Sequence, residues 1–145
     1  MHPISNCWQE PVFRDFFVEA LEHGRALVVS DRRTDAIIGS SQFRRFDPAD
    51  GGSVEIGYTF LSRACWGRGH NREMKRLVGG HALESVARVD FRAGEENCRS
   101  RRALEKIGAR LAPLRSERLE HGGRGIVHLY YELCRADYVA SLGAD

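Results

Sequence analysis

The chain has 145 residues, 22 Lys and Arg against 20 Asp and Glu, a formal net charge of +2 and 42% hydrophobic residues. That length is enough for one domain, residues 1–145, to bury a core without disulfide or metal staples. Near-neutral charge excludes a strong nucleic-acid footprint, and no apolar run reaches the ~20 residues of a membrane-spanning helix, so neither nucleic acid nor membrane is an expected partner.

MHPISNCWQE, at the start, has no signal-peptide apolar region. Proline then opens a helix over Pro11–Leu21, in which Phe13, Phe16, Phe17, Ala20 and Leu21 recur with helical spacing. Gly24 is its stop, and the aromatic stripe reads as core. Ala26–Ser30 and Ile37–Phe43 form a hairpin across Asp31–Asp35. Arg45–Gly52 is a polar connection, and Ser53–Leu61 is the next antiparallel strand. The cysteines, Cys7, Cys65, Cys98 and Cys134, are scattered without framework or metal-ligand spacing. They imply free thiols in a reducing, cytoplasmic setting and no metal site.

After that strand comes Trp66-Gly67-Arg68-Gly69-His70-Asn71, running straight into a helical pattern. Glycines admit positive φ and let a ligand lie against bare backbone. A helix N-terminus adds unpaired N–H donors and the positive end of the macrodipole. Strand, glycine turn and helix start together make an anion site, suited to phosphate. A Walker loop is excluded because His70-Asn71 follows Gly69. A dinucleotide fingerprint is excluded because Arg72 stands where its third glycine belongs. Met74, Leu77, Val78, His81, Ala82 and Val86 carry the helical period onward, with His81 read as a packed core histidine. Gly79-Gly80 costs about 1 kcal/mol per residue relative to alanine, which points to close packing against a strand. Arg88–Ala93 is a central strand, and Asn97 caps a helix that Gly108 ends. Arg110–Leu119 and Gly125–Leu133 make a hairpin turning near His121-Gly122-Gly123. Arg135–Asp145 is a short tail with a helical turn.

The glycine loop resembles the acetyl-CoA pyrophosphate loop of the GNAT N-acetyltransferase superfamily, Gln/Arg-x-x-Gly-x-Gly/Ala, with Trp66 and Asn71 departing at its first and last positions. Glu96-Asn97-Cys98-Arg99-Ser100-Arg101-Arg102-Ala103-Leu104-Glu105-Lys106-Ile107-Gly108-Ala109 is similar to the family's N-x-x-S-x-R-x-x-x-K-x-G-F/A segment. The branch it resembles holds the ribosomal-protein N-terminal (alanine/serine) acetyltransferases. The resemblance covers Ala26 to Leu133. It implies an α+β fold, a mixed, mostly antiparallel sheet flanked by helices, here without the family's usual first strand and one N-terminal helix. A mis-called start or a second subunit would account for the difference. An unpaired sheet edge is seldom left bare, so a homodimer is expected, with Pro11–Leu21 near its interface.

The same resemblance implies transfer of an acetyl group from acetyl-CoA to a primary amine, by direct attack in a ternary complex. The acceptor would be a protein N-terminus, an amino acid or a small amine. A non-catalytic acyl-CoA-binding module is the alternative. Pantetheine would pair along the strand ending at Phe60-Leu61, and the pyrophosphate would sit on Trp66, Gly67, Arg68, Gly69, His70 and Asn71. Asn97 and Ser100 would bond the pantetheine arm, and Arg102 would reach the nucleotide. Glu55, of opposite parity to Val54, Ile56, Tyr58 and Phe60, is the candidate base. Tyr131 is the candidate acid, with Tyr130 as its rival, because adjacent strand residues face opposite ways.

Overall fold

The computed structural model describes residues 9–22, 24–121 and 123–144. The chain runs α1 (Glu10–Glu22), β1 (Ala26–Ser30), β2 (Ile37–Asp47), β3 (Ser53–Leu61), α2 (His70–Ala82), β4 (Arg88–Gly94), α3 (Cys98–Glu105), β5 (Arg110–His121), β6 (Arg124–Cys134) and α4 (Arg135–Leu142). Cys7, Gly122 of the expected turn and Asp145 of the tail lie outside the described residues.

The six strands form one sheet in the order β1-β2-β3-β4-β6-β5. β3 and β4 pair in parallel, joined through α2, and every other neighbouring pair is antiparallel. This is the mixed, mostly antiparallel α+β arrangement that the resemblance implies. The two faces of the sheet differ sharply. Val54, Ile56, Val89, Phe91, Ala93, Tyr131 and Leu133 share a core with Leu83, Leu104 and Ile107 from the helical side. Alternation then turns Glu55, Asp90, Arg92, Tyr130 and Glu132 to the opposite face.

Several expectations change. β2 continues past Phe43 to Asp47, because Arg44 pairs with Glu55 and Asp47 with Ser53. The polar connection is therefore short: Pro48 and a single 3-10 turn, Ala49–Gly51. The aromatic stripe of α1 is not core. Phe13, Phe17 and Leu21 are about half exposed, Ala20 is buried, and Phe16 packs edge-on against Tyr58 at 5.3 Å. On α2 the buried stripe is Met74, Lys75, Gly79 and Ala82, so Leu77 faces solvent. His81 is likewise exposed, its Nδ1 3.5 Å from Glu84, and is no core histidine.

The glycine pair explains this rotation of α2. A Cβ on Gly79 would lie 3.4 Å from Leu133 of β6, and one on Gly80 would lie 2.4 Å from the Tyr138 hydroxyl of α4. The helix turns its bare side inward, against a strand and a second helix. The tail, α4, is eight residues of helix rather than one turn.

Candidate active site

The register of β3 on β4 lays out the site. The two strands pair over three residues only, Ser53↔Arg88 to Glu55↔Asp90. Beyond that point β3 continues to Leu61 and β4 to Gly94 without pairing to each other. A V-shaped gap therefore opens between them, its closed end beside Ile56 and Phe91. Backbone amides along such a gap are edge groups that a linear ligand can pair with.

A β-bulge shapes one wall. Between Gly57 and Phe60 the register with β2 shifts, and Tyr58 takes φ 48, the left-handed region. This conformation is strained for an aromatic residue and is met most often at functional sites. The bulge overrides simple alternation. Tyr58 faces the same side as Glu55, with the Arg44 guanidinium 4.1 Å from its ring centroid, so its expected opposite parity is corrected. Phe60, paired with Ser40 beyond the bulge, follows Tyr58 and not Ile56.

The mouth of the gap is closed by the loop after β3. A 3-10 turn over Arg63–Cys65 leads to Trp66, whose indole Nε1 donates to the Leu61 carbonyl at 3.0 Å. Gly67 and Gly69 have φ 74 and 83, and a Cβ on either would meet nothing within 4 Å. The glycines therefore leave open space over their backbone, as an approaching anion requires. Gly69 caps α2, and the first helical bond runs from Glu73 N–H to the Gly69 carbonyl at 3.0 Å. The preceding amides have no partner within the helix. His70 and Asn71 are half-buried and Arg68 is exposed. The His70 Nδ1 is buried without a hydrogen-bond partner.

Across the mouth stands α3. Asn97 accepts from the Ser100 N–H at 3.1 Å, the cap its position predicted, which leaves its amide N–H groups available. The Arg99 guanidinium lies 4.4 Å from the Trp66 ring centroid, so loop and α3 touch over the gap. Arg102 is exposed on the outer side of α3. Beside the start of α2, a cavity of about 450 Å³ is lined by Arg68, Gly69, Arg72, Arg76 and Tyr138, among others.

Glu55 and Tyr131 are not brought together. Glu55 is 4% exposed. Its Oε1 accepts from Arg92 Nε at 2.9 Å, and Arg44 and Arg45 stand 3.9 and 3.7 Å from its oxygens. Arg92 and Arg45 also reach Glu117 at 2.9 and 3.3 Å, and Tyr130 donates to the same carboxylate at 3.0 Å. The Tyr130 bond, with the Arg45 and Arg92 charges, holds the Glu117 carboxyl below its ordinary range against some desolvation. Burial, then the Glu117 bond, pushes the Tyr130 phenol up. Bonds to Asp90 and Glu132 raise Arg115 further.

Tyr131 lies on the helical face, fully buried. Its hydroxyl accepts from Arg101 Nε at 3.0 Å and donates to Glu105 at 3.3 Å. Of the two tyrosines, Tyr130 shares the face of Glu55.

The arginine–carboxylate network escaped the sequence reading, although Arg92 and Tyr130 alternate in step with Glu55. Lys75 escaped it too: a lysine adjoining the apolar period of α2 was the available signal. Among the described residues no His, Cys, Asp or Glu cluster has metal-site geometry, and no helix is long and apolar enough to cross a membrane. Cys65, Cys98 and Cys134 are free thiols.

Residues 5–110 match the model of the acetyltransferase (GNAT) domain family. The chain belongs to that family. Solved GNAT structures share the fold. A GCN5-related N-acetyltransferase from Brucella melitensis superposes with a TM-score of 0.79 at 22% identity, over 94% of this chain and 63% of that one. The chain thus spans less than two thirds of that protein's length. A chimeric spermidine N-acetyltransferase of Vibrio cholerae gives 0.71 at 14% identity, over 88% of this chain and 77% of its own. Ribosomal-protein-S5-alanine acetyltransferase from Vibrio fischeri gives 0.67 at 18% identity, over 90% and 72%. No curated protein sequence matches the chain.

Proposed function

We propose that this GNAT domain transfers an acetyl group from acetyl-CoA to a primary amine, by direct attack in a ternary complex. The observation that carries the reading is the V-shaped gap, with β3 and β4 parting after Glu55 and Asp90 directly below a glycine-lined helix start. A pantetheine arm would lie along the unpaired β3 edge at Phe60-Leu61. Its pyrophosphate would rest on the amides from Trp66 through Asn71, assisted by Arg68, with Asn97 and Ser100 beside the arm and Arg102 toward the nucleotide. Direct attack needs positioning and proton transfer, not an acyl-enzyme.

The amine would enter from the Glu55 face, where Glu55 would take its proton through water. Structures of acetyltransferases acting on a ribosomal-protein alanine and on spermidine support an amine acceptor, either a protein N-terminus or a small molecule. Cytoplasmic location and a homodimer remain part of the proposal.

The test is calorimetric titration with acetyl-CoA, followed by thiol release across N-terminal peptides, amino acids and polyamines. Micromolar binding with turnover on one class is the expected result. Binding without turnover on any amine would favour a non-catalytic acyl-CoA-binding module, and no binding would end the reading.

A further inference from the structure

Lys75 sits a turn and a half into α2 and is only 8% exposed. Its Nζ lies 5.4 Å from the centroid of the Phe91 ring, and Phe91 is the first β4 residue past the last pair with β3. The ammonium therefore lies under the closed end of the gap. Among the described residues it meets that ring but no carboxylate at ion-pair distance. Burial alone pushes it down to about 8. Taking an unpaired ammonium out of water is costly, and nothing in the packing of α2 demands a charge at this position.

Charged and titratable groups on the neighbouring elements include His70, Arg72, Glu73 and Arg76 on α2, Arg99, Arg101, Arg102 and Glu105 on α3, Tyr131 on β6 and Arg135, Asp137 and Tyr138 on α4. Glu55, Asp90 and Arg92 occupy the other face of the sheet. Tyr131 already spends its hydroxyl on Arg101 and Glu105.

We infer that Lys75 is the proton donor to the sulfur that leaves the thioester at the closed end of the gap, the role that strand position alone offered to Tyr131. The inference rests on the acetyl-CoA reading above. In the step, the amine lone pair bonds to the thioester carbonyl carbon and the C–S bond breaks, its electron pair going to sulfur. A proton passes from the Lys75 ammonium to that sulfur, giving the free thiol and a neutral amine. The proton shed by the attacking nitrogen goes to water on the Glu55 side, and Lys75 regains one from solvent as products leave. A thiol ionises near 8.5 and a phenol near 10, so a lysine tuned close to the leaving group is the better-matched acid.

The experiment uses the full chain with acetyl-CoA and the amine that turns over best, comparing Lys75→Met and Lys75→Arg with wild type after thermal melts confirm folding. The expected result is a kcat about 100-fold lower in Lys75→Met, with KM for acetyl-CoA within about threefold. The falling alkaline limb of kcat near pH 8 should vanish, and Lys75→Arg should not restore the rate. A second readout needs no turnover: thiolate absorbance of bound CoA should titrate at lower pH in wild type than in Lys75→Met. A folded Lys75→Met at wild-type kcat, full rescue by Lys75→Arg, or identical thiolate titrations would each overturn the assignment while leaving the acetyltransferase reading in place. Failure of wild type to bind acetyl-CoA at all would end both.

Discussion

Gly69 is a residue whose backbone conformation, not its packing, calls for glycine. At φ 83, with open space where a Cβ would be, it is not required by any neighbour. Gly69→Val should be strained by roughly 1–2 kcal/mol yet still fold. It should bind CoA at least about 10-fold more weakly, equivalent to about 1.4 kcal/mol. Unchanged affinity in calorimetry of the folded variant would remove the anion site. Glu55 is the reverse case, a residue held by its neighbours. Glu55→Gln retains an acceptor for Arg92 but cannot take a proton. Its kcat should fall by about 100- to 10,000-fold, the loss shrinking toward high pH as free amine becomes abundant. A pH–rate series that shows full kcat and only a lower melting temperature would make Glu55 a tie point of the arginine network.

Among the elements, β2 and β3 approach closely just beyond the bulge. A Cβ on Gly39 would lie 2.3 Å from the Phe60 carbonyl and 2.7 Å from the Leu61 side chain. Backbone cannot give way as a flexible side chain can. Gly39→Ala should therefore lower stability by roughly 1–3 kcal/mol, read from urea melts, and should disturb the unpaired β3 edge as well. Strand existence was legible throughout, because Ser53–Leu61, Arg88–Ala93 and Gly125–Leu133 carry strong apolar alternation. The face of each residue was less so. One inserted residue at Tyr58 reverses parity downstream, and no residue type announces it. The orientation of α2 is hidden for a related reason: Leu77 and His81 fit the apolar period, while the true inner side is marked by two glycines, which carry no hydropathy signal.

For the whole molecule, Lys75 sets a pH dependence of stability. It loses its proton near pH 8 when folded and near 10.5 when unfolded. Between these values the unfolded chain binds more protons, so stability rises with pH. Below about pH 8 the full penalty applies, on the order of 3 kcal/mol for this shift from 10.5 to about 8. Lys75→Met should therefore melt at higher temperature than wild type at pH 7, with the advantage fading by pH 10.5. Melts that show no gain at neutral pH would mean the ammonium is better solvated than its burial implies. The glycine turn before α2 and the Asn97 cap of α3 were legible, because each is written in one short stretch of chain. The arginine–carboxylate network was not, because Arg44, Arg92, Glu117 and Tyr130 come from four strands and meet only through register.

That register also divides the sheet. β1, β2 and β3 form one three-stranded half, β4, β6 and β5 the other, and three pairs between β3 and β4 are the rungs that join them. α2 is the covalent strap over the seam. A linear donor lying in the gap would act as a seventh strand, supplying the rungs the protein itself omits and turning two panels into one continuous sheet.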